Sequence, residues 1–126
     1  MKVFFCDFDC TLMFNQYRNG QTAISLIAAE DDPEQDILEG APIGTATVCI
    51  PEGIAVNFDE VLIKEYSENQ GMVSALLKAG VIEQEISWFD FGNGRNPVEV
   101  DGPAAIARCR LTQAAKDLVV SQKFGV

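Results

Sequence analysis

SENQGMVSALLKAGVI occupies Ser67–Ile82, and it reads as one helix with both ends marked. Ser67 followed three residues later by Gln70 is a capping-box pattern, in which hydroxyl and amide each satisfy an early N–H. Glu68 falls in the first turn, where a carboxylate suits the positive end of the helix dipole. Met72, Val73, Leu76, Leu77 and Ala79 recur at helical spacing and form one apolar face, whose plain role is core contact. Gly80 supplies the left-handed residue that ends a helix, and Val81 and Ile82 can fold back on the last turn. Gly71 is the weak point, because a glycine inside a helix costs about 1 kcal/mol relative to alanine.

Strands surround this helix. In VFFCDFDCTLMF, residues 3–14, Phe4, Cys6, Phe8, Cys10, Leu12 and Phe14 alternate on one face. Period two over that length predicts one strand with the even face buried. Asn19-Gly20 is a hairpin signal, and Thr22–Ala28 is the returning strand. Residues 30–44 are acidic, hold Pro33 and Pro42, and read as an exposed loop. Thr45–Ile50 alternates and breaks at Pro51-Glu52-Gly53. Val61–Tyr66, Ile86–Phe91 and Ala104–Thr112 are further strands, with Gly92–Pro103 a loop. In the last strand Ala105, Ala107, Cys109 and Leu111 point inward, and Arg108 and Arg110 outward. Residues 113–123 fit a short C-terminal helix with Ala114, Ala115, Leu118 and Val119 on its face. The expected class is α+β, a mainly antiparallel sheet of about five to six strands packed on one central helix at about 68–79. A chain of 126 residues is expected to be one domain, 1–126.

The apolar fraction of 48% is that of a globular chain. No apolar run reaches spanning length and no charged-then-apolar leader opens the sequence, so a cytoplasmic protein without membrane association is expected. The cysteines are Cys6, Cys10, Cys49 and Cys109, and there is no histidine. Only Cys6 and Cys10 are close in sequence, so zinc spacing is lacking and all four read as small buried hydrophobes. Lack of histidine removes histidine-based triads. No cofactor or metal is expected.

The formal charge is −10 and unevenly spread. No basic residue lies between Arg18 and Lys64, while Glu30, Asp31, Asp32, Glu34, Asp36 and Glu39 crowd one loop. This argues against direct nucleic-acid binding. The plain reading of the loop is a solvated, solubilising segment. The sharper reading is a surface for a basic partner.

One motif points to catalysis. Val3–Leu12, VFFCDFDCTL, resembles the first motif of haloacid-dehalogenase-like phosphohydrolases, an apolar strand followed by Asp-x-Asp-x-Thr. The resemblance implies Asp7 as nucleophile, Asp9 as acid/base and a magnesium ion between nucleophile and phosphate. It covers about ten residues. That family also uses a phosphoryl-stabilising Lys or Arg, a downstream acidic pair and a doubly wound parallel sheet. No downstream acidic pair fits that motif here, and no helix is expected after the strand. The competing reading places two aspartates on the solvent face of an edge strand.

A broader resemblance runs from Tyr17 to Leu111. Asn19-Gly20, Ala23-Ile24-x-Leu26, Ala46-Thr47-Val48, Ile63-Lys64-x-x-Ser67-Glu68-Asn69-x-Gly71, Ala79-Gly80-Val81 and Arg110-Leu111 resemble a family of short bacterial proteins of unknown function. Those proteins are carried on plasmids, prophages and phages. The resemblance implies a mobile-element accessory protein and no catalytic residues.

The expected function is therefore a non-enzymatic accessory protein that binds another protein, with the acidic loop as binding surface. The first alternative is an acidic mimic of nucleic acid that inhibits a host defence protein, its partner a basic nucleic-acid-handling protein. The second is a magnesium phosphohydrolase using Asp7 and Asp9. Trp88 and Phe89 are candidate interface anchors, though a tryptophan on a strand is more often core.

Overall fold

A computed structural model describes residues 1–50, 56–91 and 96–124. The strands are β1 (Lys2–Phe5), β2 (Phe8–Gln16), β3 (Thr22–Ala28), β4 (Pro42–Thr45), β5 (Glu60–Lys64), β6 (Ile82–Phe91), β7 (Pro97–Val100) and β8 (Ile106–Leu111). The helices are α1 (Met72–Lys78) and α2 (Gln113–Phe124). The class is α+β, but the strands form two antiparallel four-stranded sheets. Their orders are β1-β2-β3-β4 and β5-β8-β6-β7. This corrects the expectation of a single sheet of five to six strands on one central helix.

The N-terminal strand of the sequence reading is a hairpin. Cys6 and Asp7 take φ of 52° and 66° and turn the chain between β1 and β2. Phe5 then faces Phe8 and Val3 faces Cys10. A two-residue turn pairs odd positions of one strand with even positions of the next, so the buried face changes parity at the turn. Val3 and Phe5 are buried with Cys10, Leu12 and Phe14, while Phe4 and Cys6 are exposed. The next hairpin follows its sequence signal. Gly20, at φ 88°, closes the turn by donating to the Tyr17 carbonyl, and Tyr17 donates to that of Gln21.

Two other stretches differ from expectation. The residue 30–44 loop is built, not irregular. A 3-10 turn spans Pro33–Gln35, Asp32 bridges to Ile37, and β4 begins inside the stretch. The expected strand Thr45–Ile50 instead crosses between the sheets. Ala46 donates to the Ile24 carbonyl of β3 and accepts from Lys64 of β5, and Val48 donates to Leu62. A segment that changes partner after one residue cannot extend a ladder. Thr47 anchors the crossing: its buried hydroxyl accepts from the Ile24 N–H at 3.0 Å and lies 3.0 Å from the Tyr17 hydroxyl. The break expected at Pro51-Glu52-Gly53 lies outside the described residues. Within the expected loop 92–103, β7 forms, with Pro97 first in an edge strand, where a missing N–H is tolerated.

The central helix is shorter than its sequence pattern. Ser67 has φ 59°, Ser67–Asn69 is a 3-10 turn, and Gly71 at φ 92° precedes α1. The capping box does not form. The Glu65 carboxylate does its work, accepting from the Gly71 N–H at 2.5 Å and the Val73 N–H at 2.8 Å. Buried Asn69 donates to the Thr45 carbonyl at 2.6 Å and holds the turn against the crossing segment. Gly71 is thus the residue that permits the turn, not a defect within a helix. The C-terminus agrees with the sequence: Gly80 has φ 76°, its N–H reaches the Leu77 carbonyl, and that of Val81 reaches Leu76. Because Glu65 supplies two charge-assisted bonds, Glu65→Ala is expected to cost about 1–2 kcal/mol in urea unfolding. Glu65→Gln, keeping one acceptor oxygen, should lose about half as much. Equal stability of Glu65→Ala and the parent chain would refute the capping role.

The main core draws on both sheets and both helices. Val3, Leu12, Ile24 and Leu26 meet Val61, Ile63, Ala107 and Cys109, with Met72, Leu76 and Ala115 closing it. A smaller cluster of Ile50, Leu62, Phe89 and Ile106 lies around the second sheet. Thr112 caps α2, its hydroxyl accepting from the Ala115 N–H and donating to the Gly80 carbonyl. Of the expected face of α2, Ala115 is buried, Leu118 and Val119 are half-buried, and Ala114 is exposed. Near its end, Gln122 donates to the Leu12 carbonyl and accepts from the Phe14 N–H, both at 2.8 Å. That amide takes the place of a neighbouring strand where β1 has ended, and covers part of an otherwise open edge.

Candidate functional site

The strand reversal at Cys6-Asp7 and the β2–β3 hairpin decide where the acidic residues go. Asp7 stands in the first turn and Asp9 begins the outward face of β2. The Asp9 carbonyl accepts from the Ala29 N–H at 2.9 Å, which brings β2 beside the start of the acidic stretch. Asp7, Asp9, Glu30, Asp31, Asp32 and Glu34 consequently line one cleft of about 490 Å³. Five of them are exposed and Asp32 is half-buried. The sequence reading held these as two unrelated groups, and the structure joins them.

The loop's remaining acids shape it from behind. Asp36 closes the 3-10 turn at φ 57°, and the N–H of Glu39 donates to the Asp31 carboxylate at 2.8 Å. Asp32 accepts from the Gln35 amide at 2.9 Å. Neither Asp36 nor Glu39 lines the cleft. The ion pairs among the described residues, Lys64 with Glu68 and Arg110 with Asp59, lie elsewhere. The cleft therefore presents several carboxylates on an ordered backbone.

This arrangement does not fit the magnesium centre that Asp7-x-Asp9 suggests. Among the described residues, no group of three or more Asp, Glu, Cys or His is placed to hold a metal ion. The motif also sits in an antiparallel hairpin, whereas the phosphohydrolase resemblance implies a parallel, doubly wound sheet. No phosphoryl-transfer step follows from these residues.

The other singled-out residues have structural places. Phe89 is buried in the smaller cluster, and Trp88 packs half-buried on the main core. Of the cysteines, Cys10 and Cys109 are buried. Burial, reinforced by the charge of Asp9, pushes the Cys10 thiol up to about 11. Burial, with Glu85 nearby, raises Cys109 to about 12. Cys6 is exposed and Cys49 half-buried, which corrects the reading of all four as core residues.

Of Ser67, Glu68 and Asn69, only Asn69 is buried. Lys64 donates to Glu68 at 2.6 Å and holds that carboxyl down at about 2, well below its ordinary 4.5. A depressed carboxyl contributes stability above its ordinary range and loses it as pH falls toward the folded value. Carbon-detected NMR should find Glu68 titrating near pH 2, and Lys64→Met should move that midpoint up toward the ordinary range. An ordinary midpoint in the parent chain would show that the pair does not persist in solution.

No helix among the described residues is long and apolar enough to cross a membrane. Comparison with family models, with curated proteins and with solved structures gives no match to this chain.

Proposed function

We propose that this chain is a non-enzymatic accessory protein that binds another protein through the acidic cleft. The observation behind this is the convergence of six carboxylates from the first turn, β2 and the loop after β3 on one surface. Asp31 and Asp32 also hold the loop's own turns, but like charges held together repel one another, and a cationic partner would relieve that repulsion. The partner chemistry is therefore basic, and a nucleic-acid-handling protein supplies such a surface. An acidic mimic that occupies the nucleic-acid groove of a defence protein is the specific form of this proposal. The resemblance of Tyr17–Leu111 to plasmid, prophage and phage proteins supports a mobile-element setting.

The test is a tagged pull-down from bacterial lysate, with and without nuclease, read by mass spectrometry beside a Glu30→Lys/Asp31→Lys/Glu34→Lys variant. The expected result is one basic nucleic-acid-handling protein, retained after nuclease, weakened steeply by salt and absent with the variant. Identical recovery by parent and variant, or no specific recovery, would overturn the proposal.

A further inference from the structure

The open edge of β1 offers a second binding surface, with a lining distinct from that of the acidic cleft although the two meet at the Cys6-Asp7 turn. β1 is the outermost strand of its sheet. Val3 and Phe5 face Cys10 and Phe8 across a two-residue turn. In that hairpin the residues flanking the turn exchange both hydrogen bonds, and alternate residues point their N–H and C=O groups away. Lys2 and Phe4 therefore direct their backbone groups to the outer edge. Among the described residues, no backbone group of another element bonds to them.

A cleft of about 540 Å³ runs along this edge, between β1 and α1. Its floor on the helix side is small and weakly polar, with Ser74, Ala75 and Ala79. Phe4 stands 63% exposed on the strand side. Lys2 and Lys78 also line the cleft, and both are exposed. Neither ion pair of the described residues includes them. In a chain of net charge −10, this edge carries the opposite sign.

We propose that β1 receives an extended acidic segment of a partner protein as a fifth strand of the first sheet. Main-chain bonds to Lys2 and Phe4 would supply the pairing, and alternate side chains the selectivity. Side chains on the inner face of the added strand meet Ala75 and Ala79 with room to fit. Carboxylates at the rim meet Lys78 on that face and Lys2 on the other. An edge lysine also discourages indiscriminate strand pairing; here it favours an acidic strand over a neutral or basic one. This reading does not depend on the acidic cleft, because the two surfaces carry opposite charge and are tested with different variants.

The test uses the isotopically labelled full chain and a blocked aspartate–valine peptide that carries aspartate on both faces when extended. The controls are a lysine–valine counterpart and an aspartate–valine peptide N-methylated at alternate amides. Expected are amide shifts at Lys2–Phe5 and along α1 with the acidic peptide alone, and their loss on N-methylation. Lys2→Glu with Lys78→Glu should weaken binding roughly tenfold, with the neutral Lys2→Gln/Lys78→Gln pair between it and the parent. Absence of shifts, equal response to the basic peptide, or an unchanged affinity in the reversed variant would overturn the proposal. So would sedimentation showing that a second copy of the chain already occupies this edge.

Discussion

Leu76→Ala is expected to lower the free energy of unfolding by about 2–5 kcal/mol, the range for truncating a fully buried leucine. Leu76 has no exposed surface and belongs to the cluster shared by both sheets and both helices. Its carbonyl also accepts from the Val81 N–H at the end of α1, so its backbone is fixed while its side chain is removed. α1 packs on β1 of one sheet and on β5 and β6 of the other. Neither sheet can close over the gap without giving up its own contacts, so the cavity should remain largely unfilled. Set against a typical total of about 5–15 kcal/mol, this is a large fraction. Urea unfolding followed by circular dichroism measures it. A loss under about 1 kcal/mol would mean that α1 does not hold the sheets together.

Gly102→Ala should be damaging although Gly102 is exposed. A Cβ placed on Gly102 would overlap the indole ring of Trp88. Trp88 cannot simply retreat: it packs on the main core and is paired with Val100 on one side and Ala107 on the other. Overpacking of this kind costs about 1–3 kcal/mol, and more when a ring has no alternative rotamer. Trp88 is the single tryptophan of the chain, so its emission reports on the same site. The expected result is a lower melting temperature together with red-shifted fluorescence. Unchanged melting and emission would show that the loop shifts at no cost.

The contrast between Thr22–Ala28 and Cys6-Asp7 shows what could be read in the chain. β3 has the bounds predicted from its alternation, because an Asn-Gly turn fixes its start. The C-terminal strand and helix, and the glycine end of α1, were legible for similar local reasons. Cys6-Asp7 was not, since neither residue favours positive φ strongly enough to interrupt an apolar alternation on both sides. That one missed turn turned a hairpin into a long strand and hid the open edge of β1. The split into two sheets was hidden as well. It depends on Ala46 bonding to both sheets and Val48 to the second, and no local pattern records that. The six acids of the cleft come from three places in the chain, so only tertiary structure could assemble them.

The Gln122 amide has a consequence for how the chain is made. Its two bonds to β2 span 108 and 110 residues of sequence. At a synthesis rate of about 5–20 residues per second, β2 emerges from the ribosome roughly 5–20 s before the side chain that covers it. Throughout that interval the Leu12 carbonyl and the Phe14 N–H face outward, available to chaperones and to neighbouring nascent chains. A translational pause upstream of α2 lengthens the exposure, so codon choice in that stretch should alter the yield of folded protein without altering a single residue.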